Sequence, residues 1–304
     1  MLCENMVDMI GKTPLLRLKR IEEKYGLKGK LWAKVEGMNP AGSTKDRASL
    51  GMIRAAELFD GVEPGATFVE PTSGNTGIGI AAIAAARGYK AIIVMPDSMS
   101  KERIKLMEVY GAEVVLTPAA GGMAASIEKV KEICEQIEGA CIVGQFDNPA
   151  NPREHYRTTG PEIYRDLGGK VDVFVAGIGT GGTFSGATRF LKDCNPDIYA
   201  VAVEPASSSL LSGGEASSHK IQGIGANFVP ANFEKDLADE ILTIEDDEAL
   251  EMFRVLPRTE GIFAGISSGA ALAAAIKVAS RPENEDKNIV VVLPDNGDRY
   301  LSLV

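Results

Sequence analysis

Short apolar runs alternate with helical repeats along almost the whole chain. Ala91-Ile92-Ile93-Val94 and Ile289-Val290-Val291-Val292 are apolar at every position. A strand of that kind is covered on both faces, as in a parallel sheet crossed by helices. The pattern predicts strands over 31–35, 66–70, 90–95, 112–116, 140–143, 171–176, 198–203, 240–244 and 288–293. It predicts helices over 48–59, 78–87, 100–110, 122–137, 155–167, 184–193, 246–256 and 267–279. A turn at 9–14 leads into a further short strand, and 21–25 reads as one helical turn. In the helix over 100–110, Leu106, Val109 and Tyr110 share a face. Strand and helix alternating in this way predict an α/β fold with mainly parallel sheets. The strands are too many for one small sheet. We expect two stacked domains, each a mainly parallel twisted sheet with helices on both faces, with a ligand cleft between them.

Composition sharpens that picture. At 304 residues the chain is long enough for a large core, and its 45% hydrophobic and 24% charged content is ordinary for a globular protein. A net charge of −10 argues against a nucleic-acid or anionic-membrane surface. The N-terminus shows no basic region followed by an apolar run, and no stretch is apolar enough to span a bilayer. Cys3, Cys134, Cys141 and Cys194 are widely spaced, which fits free thiols in a reducing cytoplasm. His155 and His219 are the two histidines and lie far apart, so no metal site is expected from them. His155 and the cysteines read as structural. The 33 glycines gather in a few loops, as they do where backbone approaches a ligand closely.

The candidate chemistry begins at Asn39-Pro40-Ala41-Gly42-Ser43-Thr44-Lys45-Asp46-Arg47, between a predicted strand and a predicted helix. A lysine at such a mouth has its stem held while its amine faces the crevice beyond the strand ends. Desolvated there, it loses its proton readily and attacks a carbonyl. On this stretch alone, a first-turn lysine paired with Asp46 accounts for the residues as well.

Four loops at strand-to-helix junctions add to it. Pro71-Thr72-Ser73-Gly74-Asn75-Thr76-Gly77 offers amides and hydroxyls at a helix N-terminus, more than a cap needs, and suits an anion. Gly177-Ile178-Gly179-Thr180-Gly181-Gly182-Thr183 reads as a phosphate cradle. It also contains G-x-G-x-x-G, with Glu204 ending the next strand, so a dinucleotide site and an NAD-dependent dehydrogenase are the rival reading. Pro205 directly after Glu204 counts against that rival. Gly265-Ile266-Ser267-Ser268-Gly269 opens a helix with two serines that either cap it or bind a ligand atom. Pro294-Asp295-Asn296-Gly297-Asp298-Arg299-Tyr300 follows the last strand and is most simply a turn on the same rim. A nucleophilic lysine, a phosphate cradle and a separate carboxylate cradle together suit pyridoxal 5'-phosphate and an amino acid.

These residues resemble the signatures of a known family almost end to end. They are 10–15, 39–47, 71–77, 177–183, His219-Lys220-Ile221-Gln222-Gly223-Ile224-Gly225, 265–269 and Arg299-Tyr300-Leu301-Ser302, in this order. The chain is identified as resembling the cysteine synthases (O-acetylserine sulfhydrylases), in the tryptophan-synthase-β-like class of pyridoxal-phosphate enzymes. The resemblance implies a smaller N-terminal domain over 36–144, with a mobile carboxylate loop, and a larger domain made of 12–35 and 145–304. It implies that Lys45 forms a Schiff base with the cofactor and moves the substrate's α proton. Asn75 then bonds the ring hydroxyl, Gly179, Thr180, Gly181, Gly182 and Thr183 hold the phosphate, and Ser267 faces the pyridine nitrogen. Thr72, Ser73, Gly74, Asn75, Thr76 and Gln145 hold the substrate carboxylate or lie beside it, with Gly223 and Ala226 in the opposite wall.

The implied activity is β-replacement: L-cysteine from O-acetyl-L-serine and sulfide, through an aminoacrylate. A hydroxyl at the pyridine nitrogen suits elimination at the β carbon, because it leaves the cofactor a weaker electron sink. A cystathionine β-synthase-like condensation with homocysteine is the nearest alternative, and a serine dehydratase or a catalytically silent binding relative is further off. The end at Val304 is expected to leave no room for a regulatory tail. Asn227 stands where this family usually has glycine, and Asp295-Asn296 vary a stretch that often contains serine. The resemblance further implies a cytoplasmic homodimer and a complex with the C-terminal tail of serine acetyltransferase.

Overall fold

The computed structural model describes residues 2–303, which form two compact units. One unit holds residues 2–10 and Lys45–Asn151. The other holds Gly11–Thr44 and 152–303. The main segment of the first runs from Lys45 to Asn151, beside the expected 36–144.

In chain order the elements are β1 (Leu15–Arg17), α1 (Lys19–Tyr25), β2 (Lys30–Val35), α2 (Lys45–Phe59), β3 (Thr67–Pro71), α3 (Asn75–Arg87), β4 (Lys90–Pro96), α4 (Lys101–Val109), β5 (Glu113–Thr117) and α5 (Gly122–Gln136). There follow β6 (Cys141–Ile142), α6 (Ala150–Arg157), α7 (Thr159–Asp166), β7 (Val173–Gly177), α8 (Gly182–Cys194), β8 (Tyr199–Pro205), β9 (Glu240–Ile244), α9 (Asp246–Glu260), α10 (Ile266–Ala279) and β10 (Asn288–Leu293). No described helix is long and apolar enough to cross a membrane.

The first unit is built on a four-stranded parallel sheet in the order β5-β4-β3-β6. Val69, Ile92 and Val94 on its strands pack against Val130 and Ile133 of α5. The second unit is built on six strands in the order β1-β2-β10-β7-β8-β9. All its neighbours are parallel except β1 and β2. Alternate residues of its central strands enter two different cores. Val173, Val175, Val201, Val203, Ile289 and Val291 join one, while Phe174, Ala176, Ala200, Ala202, Val290 and Val292 join the other. Both faces are buried, which is why these strands read as continuous apolar runs.

One expected element differs. The helix over 155–167 is in fact two, α6 and α7, separated at Thr158, whose Oγ1 donates to the Glu154 carbonyl at 2.7 Å. In α4 the buried side chains are Arg103 and Met107, while Val109 is 80% exposed. Leu106 and Tyr110, which share the face of Val109, are half-buried.

A buried polar network ties the N-terminal turn of the second unit to its sheet. Lys34 Nζ, fully buried on β2, donates to Glu162 Oε2 at 2.8 Å and to the Thr13 carbonyl at 2.7 Å. Glu162 Oε1 accepts the Lys12 amide at 2.9 Å. Thr13 Oγ1 donates to Glu36 Oε1 at 2.6 Å, and Asn39 Nδ2 donates to Glu36 Oε2 at 2.9 Å. The Gly11 amide closes the set on Asn39 Oδ1 at 2.8 Å. Gly11-Lys12-Thr13-Pro14 thus holds Asn39, six residues before Lys45. Charge buried this deeply is tolerated only while its partners remain. Lys34→Met is expected to lower stability by about 3–5 kcal/mol in urea unfolding. Adding Glu162→Leu to it should recover most of the loss, because the buried carboxylate that has lost its cation is then gone.

Candidate active site

In the first unit, Lys45 is itself the opening residue of α2, three positions earlier than the apolar pattern indicated, and is partly buried. Helix α3 runs directly against this turn. A Cβ at Gly79 would stand 2.9 Å from Ser49 Oγ and 3.2 Å from the Lys45 carbonyl, so only glycine allows that approach. Ser49 Oγ donates to the Thr76 carbonyl at 3.4 Å. The lysine is thereby fixed beside the start of α3, where Asn75 and Thr76 are the first two residues.

The loop before α3 turns its polar groups into a cradle. The buried Thr72 donates its amide to Val94 at 3.0 Å, and its Oγ1 accepts the Gly74 amide at 3.3 Å. Nothing lies within 4 Å of a Cβ built on Gly74, so the loop is open on that side. Arg103 of α4 donates to the Ser73 carbonyl at 3.3 Å and brings a buried positive charge beneath the loop. The N-terminus of α3 adds its own positive end. Thr76 Oγ1 donates to Gln145 Oε1 at 2.5 Å, so residues 69 apart in sequence meet here. The arrangement favours a carboxylate or another small anion.

Glu70, at the end of β3, lies under this cradle with 1% of its surface exposed. Its Oε2 accepts the Gly144 amide at 2.8 Å and its Oε1 accepts the Gln145 amide at 3.2 Å. Burial raises its carboxyl from 4.5 to about 7, against the lowering effect of those two amides and of the Gln145 side chain, which also donates to it. The sequence reading took Glu70 only as a strand end. An acid closing an otherwise apolar, fully buried strand was the available signal.

In the second unit, β7 feeds a glycine loop into α8, which begins at Gly182. At Gly179 a Cβ would stand 2.4 Å from the Gly223 carbonyl, so the two backbones come together. One built on Gly223 would stand 3.2 Å from Ser267 Oγ. The loop, the turn at 223 and the second residue of α10 therefore converge. Thr180 is buried, and Gly181 is the N-cap of α8. Thr183 Oγ1 lies 3.4 Å from Thr44 Oγ1 and 3.2 Å from Nε2 of the buried His155, whose Nδ1 lies 2.8 Å from Thr159 Oγ1. Neither Thr44 nor His155 was singled out for a role at this loop. Their contact with it depends on chain positions 139 and 28 residues away.

Other features of this unit also become concrete. Ala226 and Asn227 line one small cavity with Gly179 and Ser208. Asn227 has φ +62°, a left-handed conformation that glycine or asparagine adopts readily, and its Oδ1 accepts from Ser208 Oγ at 3.0 Å. Asp295 is more than a turn residue. It bridges Ser43, its carbonyl accepts the Gly265 amide at 3.2 Å, and Tyr300 donates to its Oδ2 at 2.6 Å. Thr44 and the N-cap of α10 are thus held by one loop. Glu204, the acid that the dinucleotide reading required, is buried, with both oxygens taken by the amides of Leu211 at 2.8 Å and Ser212 at 2.9 Å. Each of its oxygens is thus committed to the turn that follows β8.

The Glu70 shift has a signed consequence. Between pH 4.5 and about 7 the unfolded chain ionises at this group while the folded one keeps its proton. Stability through this group therefore falls as pH rises across that window and levels off above it. Glu70→Gln should remove that slope. Denaturant midpoints of the two proteins at several pH values will then diverge between pH 4.5 and about 7 and run parallel above.

Comparison with known proteins places this geometry. The family described as pyridoxal-phosphate dependent enzymes matches residues 6–295. A cysteine synthase of Staphylococcus aureus is 48% identical over 300 residues, covering 98% of this chain and 96% of its own. Among solved structures, a cysteine synthase from Entamoeba histolytica superposes with a TM-score of 0.96 at 40% identity, over 99% of this chain and 90% of that one. A hydrogen sulfide-producing enzyme from Fusobacterium nucleatum superposes with a TM-score of 0.94 at 46% identity, over 99% of this chain and 100% of that one. With the match running through both units, this chain belongs to the pyridoxal-phosphate-dependent enzymes, in the branch that holds the cysteine synthases.

Proposed function

We propose that this protein makes L-cysteine from O-acetyl-L-serine and sulfide by pyridoxal-phosphate-dependent β-replacement. The observation that carries the reading is end-to-end likeness to the Staphylococcus aureus cysteine synthase, in a chain that keeps Lys45 at the head of α2. The residues present fit the cofactor. The approach of Gly179 to the Gly223 carbonyl leaves no room for a side chain, as a backbone cradle for phosphate requires. Gly179, Thr180, Gly181, Gly182 and Thr183 would hold the phosphate, Asn75 the ring hydroxyl, Ser267 the ring nitrogen, and Lys45 the aldehyde carbon. The bound cofactor supplies an electron sink for cleavage at the α carbon.

The chain's own groups do the rest. Thr72, Ser73, Gly74, Asn75, Thr76 and Gln145 orient the substrate by its carboxylate, with Gly223 and Ala226 on the opposite wall. Lys45, as a free amine, takes the α proton and later returns it. Ser267 offers a neutral hydroxyl at the ring nitrogen. A carboxylate there would favour nitrogen protonation and a longer-lived carbanion, so serine favours departure of acetate. Closing the 72–76 loop over the substrate excludes water until sulfide arrives.

We place the protein in the cytoplasm as a homodimer. Four free cysteines support the reducing compartment, and the family resemblance supports the dimer and the docking of a serine acetyltransferase tail at the carboxylate site.

The purified protein is expected to be yellow. O-acetylserine should shift its visible band to longer wavelength, and sulfide should reverse the shift with release of cysteine. A protein that responds only to serine with homocysteine would overturn the substrate assignment. Lys45→Ala should lower turnover by about 10²–10⁴-fold while phosphate-loop affinity survives. Gly179→Ala should instead weaken cofactor retention, read as the cofactor-to-protein ratio after dialysis.

A further inference from the structure

Glu70, Gln145 and Thr76 form a hydrogen-bond chain that has a direction. With Glu70 ionised, the Gln145 amide donates to it, and Thr76 Oγ1 donates to Gln145 Oε1 at 2.5 Å. The amides of Gly144 and Gln145 donate to the same carboxylate. A carboxylate accepts only, so the ionised form turns every hydrogen of the chain inward. A protonated carboxyl carries a hydrogen of its own. It then donates to Gln145 Oε1 once the amide has turned over, and the amide nitrogen donates to Thr76 Oγ1. An amide exchanges its two ends without moving its heavy-atom outline. The Thr76 hydrogen is released from Gln145 and becomes available to a ligand.

We propose that the protonation state of Glu70 sets the direction of the Glu70–Gln145–Thr76 chain, and thereby whether the Thr76 hydroxyl donates inward or to a bound carboxylate. Glu70 is a positioning residue that acts through Gln145. The inference rests on the reading of the 72–76 loop as the substrate's carboxylate site. With the chain inward, Thr76 presents lone pairs to a carboxylate and repels it. With the chain reversed, it donates a charge-assisted bond. The carboxylate thus prefers the protonated form, and its binding draws a proton from solvent.

The surroundings leave this to Glu70. Asp147, on the loop after β6, is the charged group that bears on it and raises its pKa further. The buried residues of α3, from Thr76 to Ala84, and those of α5, Ser126, Val130 and Ile133, carry no ionisable group. Its β4 partner is Ile93, and on the β6 side Ile142 pairs with the adjoining Val69. From α4, Arg103 bonds the Ser73 carbonyl. With a carboxyl held at about 7, both directions are populated near neutral pH.

The test uses the holoenzyme and acetate, which stays ionised from about pH 6 to about pH 8.5. Binding is measured by titration calorimetry in two buffers of different ionisation heat, which counts the protons taken up. The wild type should lose about tenfold in acetate affinity across this range and take up a fraction of a proton near neutrality. Glu70→Gln keeps a carbonyl acceptor for one of the two amides and supplies a donor toward Gln145. It should bind at the wild type's acid-limit affinity throughout, with no proton uptake. Thr76→Val should bind weakly and without pH dependence, while Thr76→Ser keeps the wild-type profile. A wild type that binds acetate without proton uptake overturns the inference whether or not Glu70→Gln folds. Proton uptake that survives unchanged in Glu70→Gln overturns it too, leaving the carboxylate site standing. Acetate bound equally by wild type and Thr76→Val, or by neither, removes the carboxylate-site reading and the inference with it.

Discussion

A parallel strand buried on both faces can carry polar chemistry only at its ends, and that constraint organises this protein. Its central strands send alternate side chains into separate cores, so neither face has room for a functional group. Each helix must return the chain to the same edge of the sheet. The polar loops consequently collect beyond the strand carboxyl ends: 72–74 after β3, Gln145 after β6, 178–181 after β7 and Asp295 after β10. Lys45 follows β2 by the same logic, with one intervening loop. The helices then add their N-termini, which makes anion cradles the natural chemistry of such ends.

Close backbone approach is the second theme. Gly79 lets α3 lie against the Lys45 turn, and Gly179 lets its loop meet the turn at 223. A methyl group at either place would collide with backbone or a buried hydroxyl. Small residues there are required by distance, whereas Asn227 departs from glycine at modest cost because asparagine tolerates a left-handed conformation and finds Ser208 as a partner. The turn at 227 thus keeps its form beside Gly179.

Buried charge serves anchoring in both units, by different means. Lys34 and Glu162 neutralise one another and satisfy the turn at 12–13. Glu70 has no such cation among its hydrogen-bond partners, only amides, and its carboxyl rises toward neutrality as a result. The second arrangement carries a carboxyl raised to about 7, beneath the 72–76 loop.

By itself, the sequence determined the alternation of strand and helix, the mainly parallel sheets and the positions of the glycine loops. These follow from local periodicity and from residue types that act where they stand. The resemblance to cysteine synthases was equally legible, since its motifs are contiguous. The resemblance already implied that Gln145 lies near Thr76, but tertiary structure alone decided that they bond directly and that His155 and Thr44 meet Thr183 and Gly223 meets Ser267. It also decided that α4 buries Arg103 beside Met107, and that 155–167 breaks at Thr158. Such pairings join residues tens of positions apart, and periodicity carries no information about them. The altered ionisation of Glu70 belongs to the same group, because desolvation depends on what surrounds a carboxyl and not on its neighbours in the chain.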